Sequence, residues 1–418
     1  MVRRTWYLFF LLLLIVMMFP VPGYADGFPI VGTLHSGKRP EAMAVDTQTH
    51  LLYIAHEASG VVVAFDPVRG NVRWRNTLGD VATDVQVDSV SHHVYVTATS
   101  YGSKKSDLFI LDGATGGILS TLPTGPGDNG IALDRKRHQA FVSSGDDGVV
   151  YVFTLQSGWQ SGPIRATTSQ LHIGPHPQGL GVNSRLGRLY VTDTAEHKLF
   201  IVDEQSLHTL TTLPLANAPL HPLRVDETTG RVYIVCSSGQ ELDVVDGNKN
   251  QMIARVPVKP HPEGIAFNTA TGRIYVADEG SNEGSQSERD SGTTITVIDG
   301  KTFDVLGTMQ VGKAPDGVES DPALRRVYVA LEDSDAVVEV SDSIDLPLKV
   351  DTTLRQAVAA RRAVFLLQQA AIITLVVMLL TVAWATLSAL SPRWRARESP
   401  RIQQGDVSSR SEMHSLPR

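Results

Sequence analysis

The chain has 418 residues, 19% of them charged, and a formal net charge of −7. Without a basic excess it does not read as a nucleic-acid binder. A single cysteine, Cys236, leaves no intramolecular disulfide, no CxxC zinc site and no CxxCH haem attachment; within a strand-like run it reads as a buried structural thiol.

The chain opens on the pattern of a secretory signal peptide. Arg3 and Arg4 are the basic start, residues 8–19 the short apolar stretch, and Pro20, Pro22 and Gly23 the break before Gly23-Tyr24-Ala25. Small residues at the positions a signal peptidase reads place cleavage after Ala25, with residues 1–25 as leader.

Residues 26–342 carry one unit seven times. Its mark is an alternating apolar strand around an aromatic residue: Tyr53, Tyr95, Phe141, Tyr190, Tyr233, Tyr275 and Tyr328. The spacings between them are 42, 46, 49, 43, 42 and 53 residues. A period in the forties with short strands predicts propeller blades of four strands each. Before each aromatic lies a run ending in Asp or Asn, at Asp46, Asp88, Asp134, Asn183, Asp226, Asn268 and Asp321. Such side chains bond nearby backbone amides in turns, so these positions are assigned to the turn between the first two strands. The seventh unit lacks a fourth strand, and residues 30–37 (IVGTLHSG) parallel residues 305–312 (VLGTMQVG). The expected fold is all-β: a seven-bladed β-propeller whose last blade takes its outer strand from the N-terminus.

The strands Tyr275-Val276-Ala277 and Tyr190-Val191-Thr192, with the runs Thr296-Val297-Ile298-Asp299 and Pro262-Glu263-Gly264-Ile265-Ala266, resemble the YVTN β-propeller repeat family. The resemblance covers about residues 27–340. It implies a propeller; the family is functionally mixed, so it implies no particular activity.

In a propeller the first strand of each blade lines a central channel. Counting back five residues from each turn Asp or Asn gives Glu41, Thr83, Asn129, Gln178, His221, Glu263 and Asp316, all polar. The next position is mostly small: Ala42, Asp84, Gly130, Gly179, Pro222, Gly264 and Gly317. The seven polar residues are the candidate ligand-binding ring at the channel mouth. Oxygen donors among them, Glu41, Asn129, Glu263 and Asp316, suit a divalent cation such as calcium or magnesium. By type and position they are loosely similar to the channel site of calcium-dependent lactonases. His176, His221 and His261, at the entries to three successive blades, are the candidate set for a transition metal.

Other motifs carry little. Residues 125–130 fit GxGxxG but lie between strands, with no helix to receive a pyrophosphate. There is no GxSxG, P-loop or HExxH motif, and no catalytic residue is assigned. The polar, glycine-rich insertion at 279–292 accounts for the longest spacing and is expected to be a surface loop.

After a linker at 343–362, residues 363–390 carry no charge. As a helix that stretch would reach about 42 Å, more than the ~30 Å hydrocarbon core, and is read as one transmembrane helix. Arg393, Trp394, Arg395 and Arg397 follow, favouring a cytoplasmic tail at 391–418 of disordered composition. The sequence therefore predicts a single-pass inner- or plasma-membrane protein with its propeller on the periplasmic or extracellular side. Its expected role is a module that binds a small molecule or a protein. A lactonase-like metal-dependent hydrolase and a metal-binding or metal-sensing protein are the alternatives.

Overall fold

The computed structural model describes residues 30–100, 105–127, 130–156, 164–216, 219–280, 291–343 and 348–395. The leader at 1–25, Asn129, the centre of the 279–292 insertion and the tail beyond residue 395 lie outside the described residues.

Among the described residues, twenty-eight strands form seven four-stranded sheets. Blades 1 to 6 are consecutive antiparallel meanders over residues 40–77, 81–124, 131–172, 177–214, 219–257 and 262–310. Blade 7 takes three strands from residues 315–341, and its fourth comes from the start of the chain. There Ile30–Leu34 pairs antiparallel with Ala336–Ser341, aligning Thr33 with Val338 and Leu34 with Val337. The first strand of each blade packs against the first strand of the next, and that of blade 7 against that of blade 1. The described residues therefore form a seven-bladed β-propeller.

Burial explains the sequence pattern. The second strand of a blade is covered on both faces by neighbouring blades, so Leu52–His56 is buried at every position. The outer strand Asn71–Thr77 alternates half-buried with exposed, as a strand with one wet face does. The repeat aromatics lie in the inter-blade core: Tyr53, Phe141, Tyr190, Tyr233, Tyr275 and Tyr328 are essentially inaccessible. Apolar clusters join adjacent blades, as where Met43 and Ile54 of blade 1 meet Tyr328 and Val337 of blade 7.

The Asp and Asn positions close the first hairpins. Asp46 Oδ1 accepts from the amides of Gln48 (2.9 Å) and Thr49 (3.3 Å), and Asp321 Oδ1 from those of Ala323 and Leu324 (both 3.0 Å). These turns also tie blades together. His92 Nδ1 lies 2.6 Å from Asp46 Oδ2, and His50 Nδ1 lies 2.7 Å from Asp321 Oδ2, across the junction of the first and last blades. That junction holds further polar contacts. Arg39 pairs with Glu57 of blade 1 and Glu332 of blade 7, and buried His56 places Nε2 3.0 Å from Ser36 Oγ.

One α-helix, α1 (Thr352–Arg395), follows the blades. It begins inside the 343–362 stretch read as linker. Among the described residues no helix is long and apolar enough to cross a membrane. The structure thus does not establish the spanning helix expected at 363–390, where the side chains of residues 365, 366, 369, 370, 373 and 387–390 lie outside the description. The chain divides into two compact units, residues 1–361 and 362–418, so the first turns of α1 belong with the propeller.

Candidate functional site

Six of the seven inner strands are irregular at the same place. Pairing with the second strand shifts between Pro40 and Met43, Ala82 and Asp84, Pro177 and Leu180, Pro219 and Leu223, Pro262 and Ile265, and Pro315 and Val318. Each interruption contains one residue of the expected ring: Glu41, Thr83, Gln178, His221, Glu263 or Asp316. A bulge frees a residue from the ladder and re-aims its side chain, which is why such irregularities gather beside binding sites. Proline, without an amide proton, stands at the first position of five of these strands. Asn129 of blade 3 lies outside the described residues, as does the side chain of His221.

The small residues after the ring positions have a steric cause. A Cβ on Gly264 would collide with the carbonyl oxygen of Asp316, and one on Gly317 with that of Glu41. At these two junctions the bulged backbone of one blade presses directly on the preceding blade.

Around the ring the bulges are supported in two ways. In blades 2 to 4 a hydroxyl on the second strand bonds at or beside the ring position. Thr97 Oγ1 lies 3.0 Å from Thr83 Oγ1, Ser143 Oγ accepts from the amide of Gly130 (2.9 Å) and donates to the carbonyl of Gln178 (2.6 Å), and Thr192 Oγ1 accepts from the amide of Gly179 (2.9 Å). Asp84 adds a link between blades, its carboxylate accepting from the amides of Val85 and Ile131, both at 2.7 Å. Thr83 and Gln178 are buried. In blades 6, 7 and 1 the equivalent second-strand residues are Ala277, Ala330 and Ala55, and the ring residues are the acids Glu263, Asp316 and Glu41, all half-buried.

These three acids stand on consecutive blades, and the charge of Asp316 opposes ionisation of Glu263. Burial, with Asp316 and Glu279 nearby, raises the carboxyl of Glu263 well above the usual carboxylate range. Burial and then the field of Glu279 and Glu57 push Asp316 up to about 7, with Arg39 acting in the opposite sense. Ser237 Oγ is 3.5 Å from Glu263 Oε1.

Deeper along the inner strands lies a pair outside the expected ring. Arg224 of blade 5 reaches Glu319 of blade 7 at 3.1 Å, passing blade 6. Both stand two residues before the turn Asp, where blade 6 has Ala266 and blades 1, 3 and 4 have Ala44, Ala132 and Gly181. Small neighbours leave room for this long pair. The only signal of it in the sequence is one basic and one acidic residue at an otherwise mostly small position.

The histidines are placed differently. His176 and His261 directly precede the inner strands of blades 4 and 6. His176 Nδ1 is 2.9 Å from Thr194 Oγ1, and its amide donates to Asp193 Oδ2 at 2.8 Å. His261 adopts a left-handed backbone (φ 47°). Among the described residues no group of three or more His, Cys, Asp or Glu side chains is placed to hold a metal ion.

No family model matches the chain. Among solved structures, the β-propeller domain of Cps50 (Swd1) from Myceliophteria thermophila is similar at a TM-score of 0.61 and 10% identity. The match covers 75% of this chain and 99% of that one. At that identity the likeness shows the propeller fold alone.

Proposed function

We propose that this chain is an exported, membrane-anchored propeller of the YVTN kind that binds a small polar ligand or a protein at its channel mouth. The observation that carries the binding role is the bulge repeated in blade after blade at one end of the channel. It takes a polar residue out of the sheet ladder each time, and on blades 6, 7 and 1 leaves a half-buried acid there. Charged groups kept partly desolvated side by side lower the stability of the free protein, and a cationic or proton-donating ligand group would relieve that cost.

Support for the anchor comes from the uncharged stretch at 363–390 and from the side chains along it. Leu367, Leu375, Leu379, Leu380, Val382 and Trp384 are each more than half exposed, a contiguous apolar surface that needs covering, and a bilayer would supply the cover. Export is supported by the leader pattern at 1–25, which would put the propeller outside the cytoplasm and the tail inside. The pairing of Ile30–Leu34 with blade 7 would clasp the processed end of the chain into the ring.

Two experiments test this. Thermal-shift titration of the full chain with calcium, magnesium, polyamines and short basic peptides should give at least one saturable stabilisation that Glu263→Gln/Asp316→Asn abolishes. A stabilisation that survives in the double variant moves the site elsewhere. Alkaline carbonate extraction should leave the chain in the membrane fraction, and release into the supernatant refutes the anchor.

A further inference from the structure

Residues 348–361 belong to no blade, yet they are bound to two of them. Lys349 forms a bridge with Thr308 on the outer strand of blade 6, its amide donating at 2.9 Å and its carbonyl accepting at 3.0 Å. Asp351 takes Lys259 Nζ at 2.5 Å and accepts from the amide of Leu354 at 2.9 Å, capping the start of α1. Arg355 donates to the carbonyl oxygens of Val305 (3.2 Å) and Leu306 (2.6 Å). Arg361 forms an ion pair with Glu241 of blade 5. One apolar side chain, Leu354, is buried by the contact, among Val256, Val258 and Val305, with Val358 beside it.

Two features distinguish this strap from a structural strand. Its hold is mainly polar, and the cations of both ion pairs are about two-fifths exposed: the Lys259 side chain is 38% accessible and that of Arg361 44%. Its packing is also incomplete. A cavity of about 630 Å³ lies beside it, lined by Lys259, Asp278, Thr294, Thr308, Lys349 and Asp351 among others. Blades 5 and 6 already have four strands each, so their sheets do not need the strap. The contact is made at the groove between blades 5 and 6, where the acid Glu241 pairs with the end of the second strand; blades 1, 3, 4 and 7 carry Val61, Val149, Lys198 and Ala336 at that position, blade 6 Thr294 and blade 2 the acid Asp107.

We propose that residues 348–361 are a salt-sensitive latch, released from the groove between blades 5 and 6 as one unit while the blades remain folded. Both pairs join an exposed cation to a more covered carboxylate (Asp351 17% and Glu241 8% accessible), and such half-exposed pairs weaken as salt shortens the screening length from about 10 Å at 0.1 M to about 3 Å at 1 M. Segments held by few apolar contacts open at lower free energy than the core. Once free, the segment could extend to roughly 45–50 Å, giving the propeller a longer tether to the rest of the chain.

Amide hydrogen exchange on the full chain tests this. The amides of Lys349 and Leu354 should exchange on the order of ten times faster in about 1 M salt than in about 0.1 M, while those of Tyr233 and Tyr275 stay unchanged. Glu241→Gln should speed strap exchange at low salt and shrink the salt dependence, and Leu354→Ala should speed it at both salt levels. Strap amides that exchange only together with the blade amides, or at a rate indifferent to salt, would overturn the latch.

Discussion

The two sides of the channel mouth solve one steric problem with different chemistry. On blades 2 to 4 second-strand hydroxyls bond this region: Thr97 the side chain of Thr83, Ser143 the backbone of Gly130 and Gln178, and Thr192 that of Gly179; the ring residues Thr83 and Gln178 are neutral and buried. On blades 6, 7 and 1 alanine replaces the hydroxyl, and the ring residues are acids left partly open. One half carries side-chain hydroxyl bonds at this position; the other carries half-buried acids, of which Glu263 and Asp316 hold their protons more tightly than usual. Polar groups satisfied within the protein favour the fold, whereas charges held together with few partners weaken it and are kept where something else will meet them. The proposed ligand would therefore meet the acidic half of the mouth and not the whole ring.

The sharpest way to break the comparison is to disturb the close packing of the acidic half. Gly264→Ala and Gly317→Ala each place a methyl group against a neighbouring carbonyl oxygen, where backbone and not a flexible side chain must yield. Each should cost about 3 kcal/mol, read as a fall in the denaturation midpoint. A Gly70→Ala control meets no atom within 4 Å, so it reports only the cost of its left-handed backbone (φ 69°). Equal losses at all three positions would show that crowding is not the cause.

A smaller effect tests the charge. Asp316 titrates near 3.8 in an ordinary setting and is held up to about 7 here. Between those values the folded protein keeps a proton that the unfolded chain has lost. The associated stability is complete below about pH 4 and is lost as the pH rises towards 7. Glu263 shifts in the same direction and adds to the slope. Asp316→Asn removes its share. Allowing for screening by channel water, it should stabilise the protein by about 1–2 kcal/mol at pH 8 and flatten the melting profile between pH 4 and 7. A variant less stable than the parent at pH 8 would mean that the carboxylate has a stabilising partner.

The division between these halves was only half legible in the sequence. Blade number, the buried Tyr or Phe and the turn Asp or Asn all follow from local spacing, because each is set within a single hairpin: Asp46 bonds amides two and three residues away. The ring positions could be aligned for the same reason. The bulges could not, since an interrupted ladder depends on both strands. That hid the meaning of Thr or Ser against Ala after the aromatic strand, which looks like ordinary strand variation until the hydroxyl is seen reaching the neighbouring bulge. The Arg224–Glu319 pair and the strap lay further out of view, because each brings together residues far apart in the chain through tertiary packing that no spacing encodes.

The mildest test works on the hydroxyl-bonded half. Thr192→Ala deletes the acceptor for the amide of Gly179 and copies the state of Ala55, Ala277 and Ala330. A buried amide without its partner should cost about 1 kcal/mol, a shift of a few degrees in the melting midpoint. Thr192→Ser keeps the oxygen and should recover most of it. The distinction between the halves rests on that hydroxyl. If Ala and Ser at position 192 melt together at the parent temperature, the bulge of blade 4 stands without side-chain support, and the acids alone separate one side of the mouth from the other.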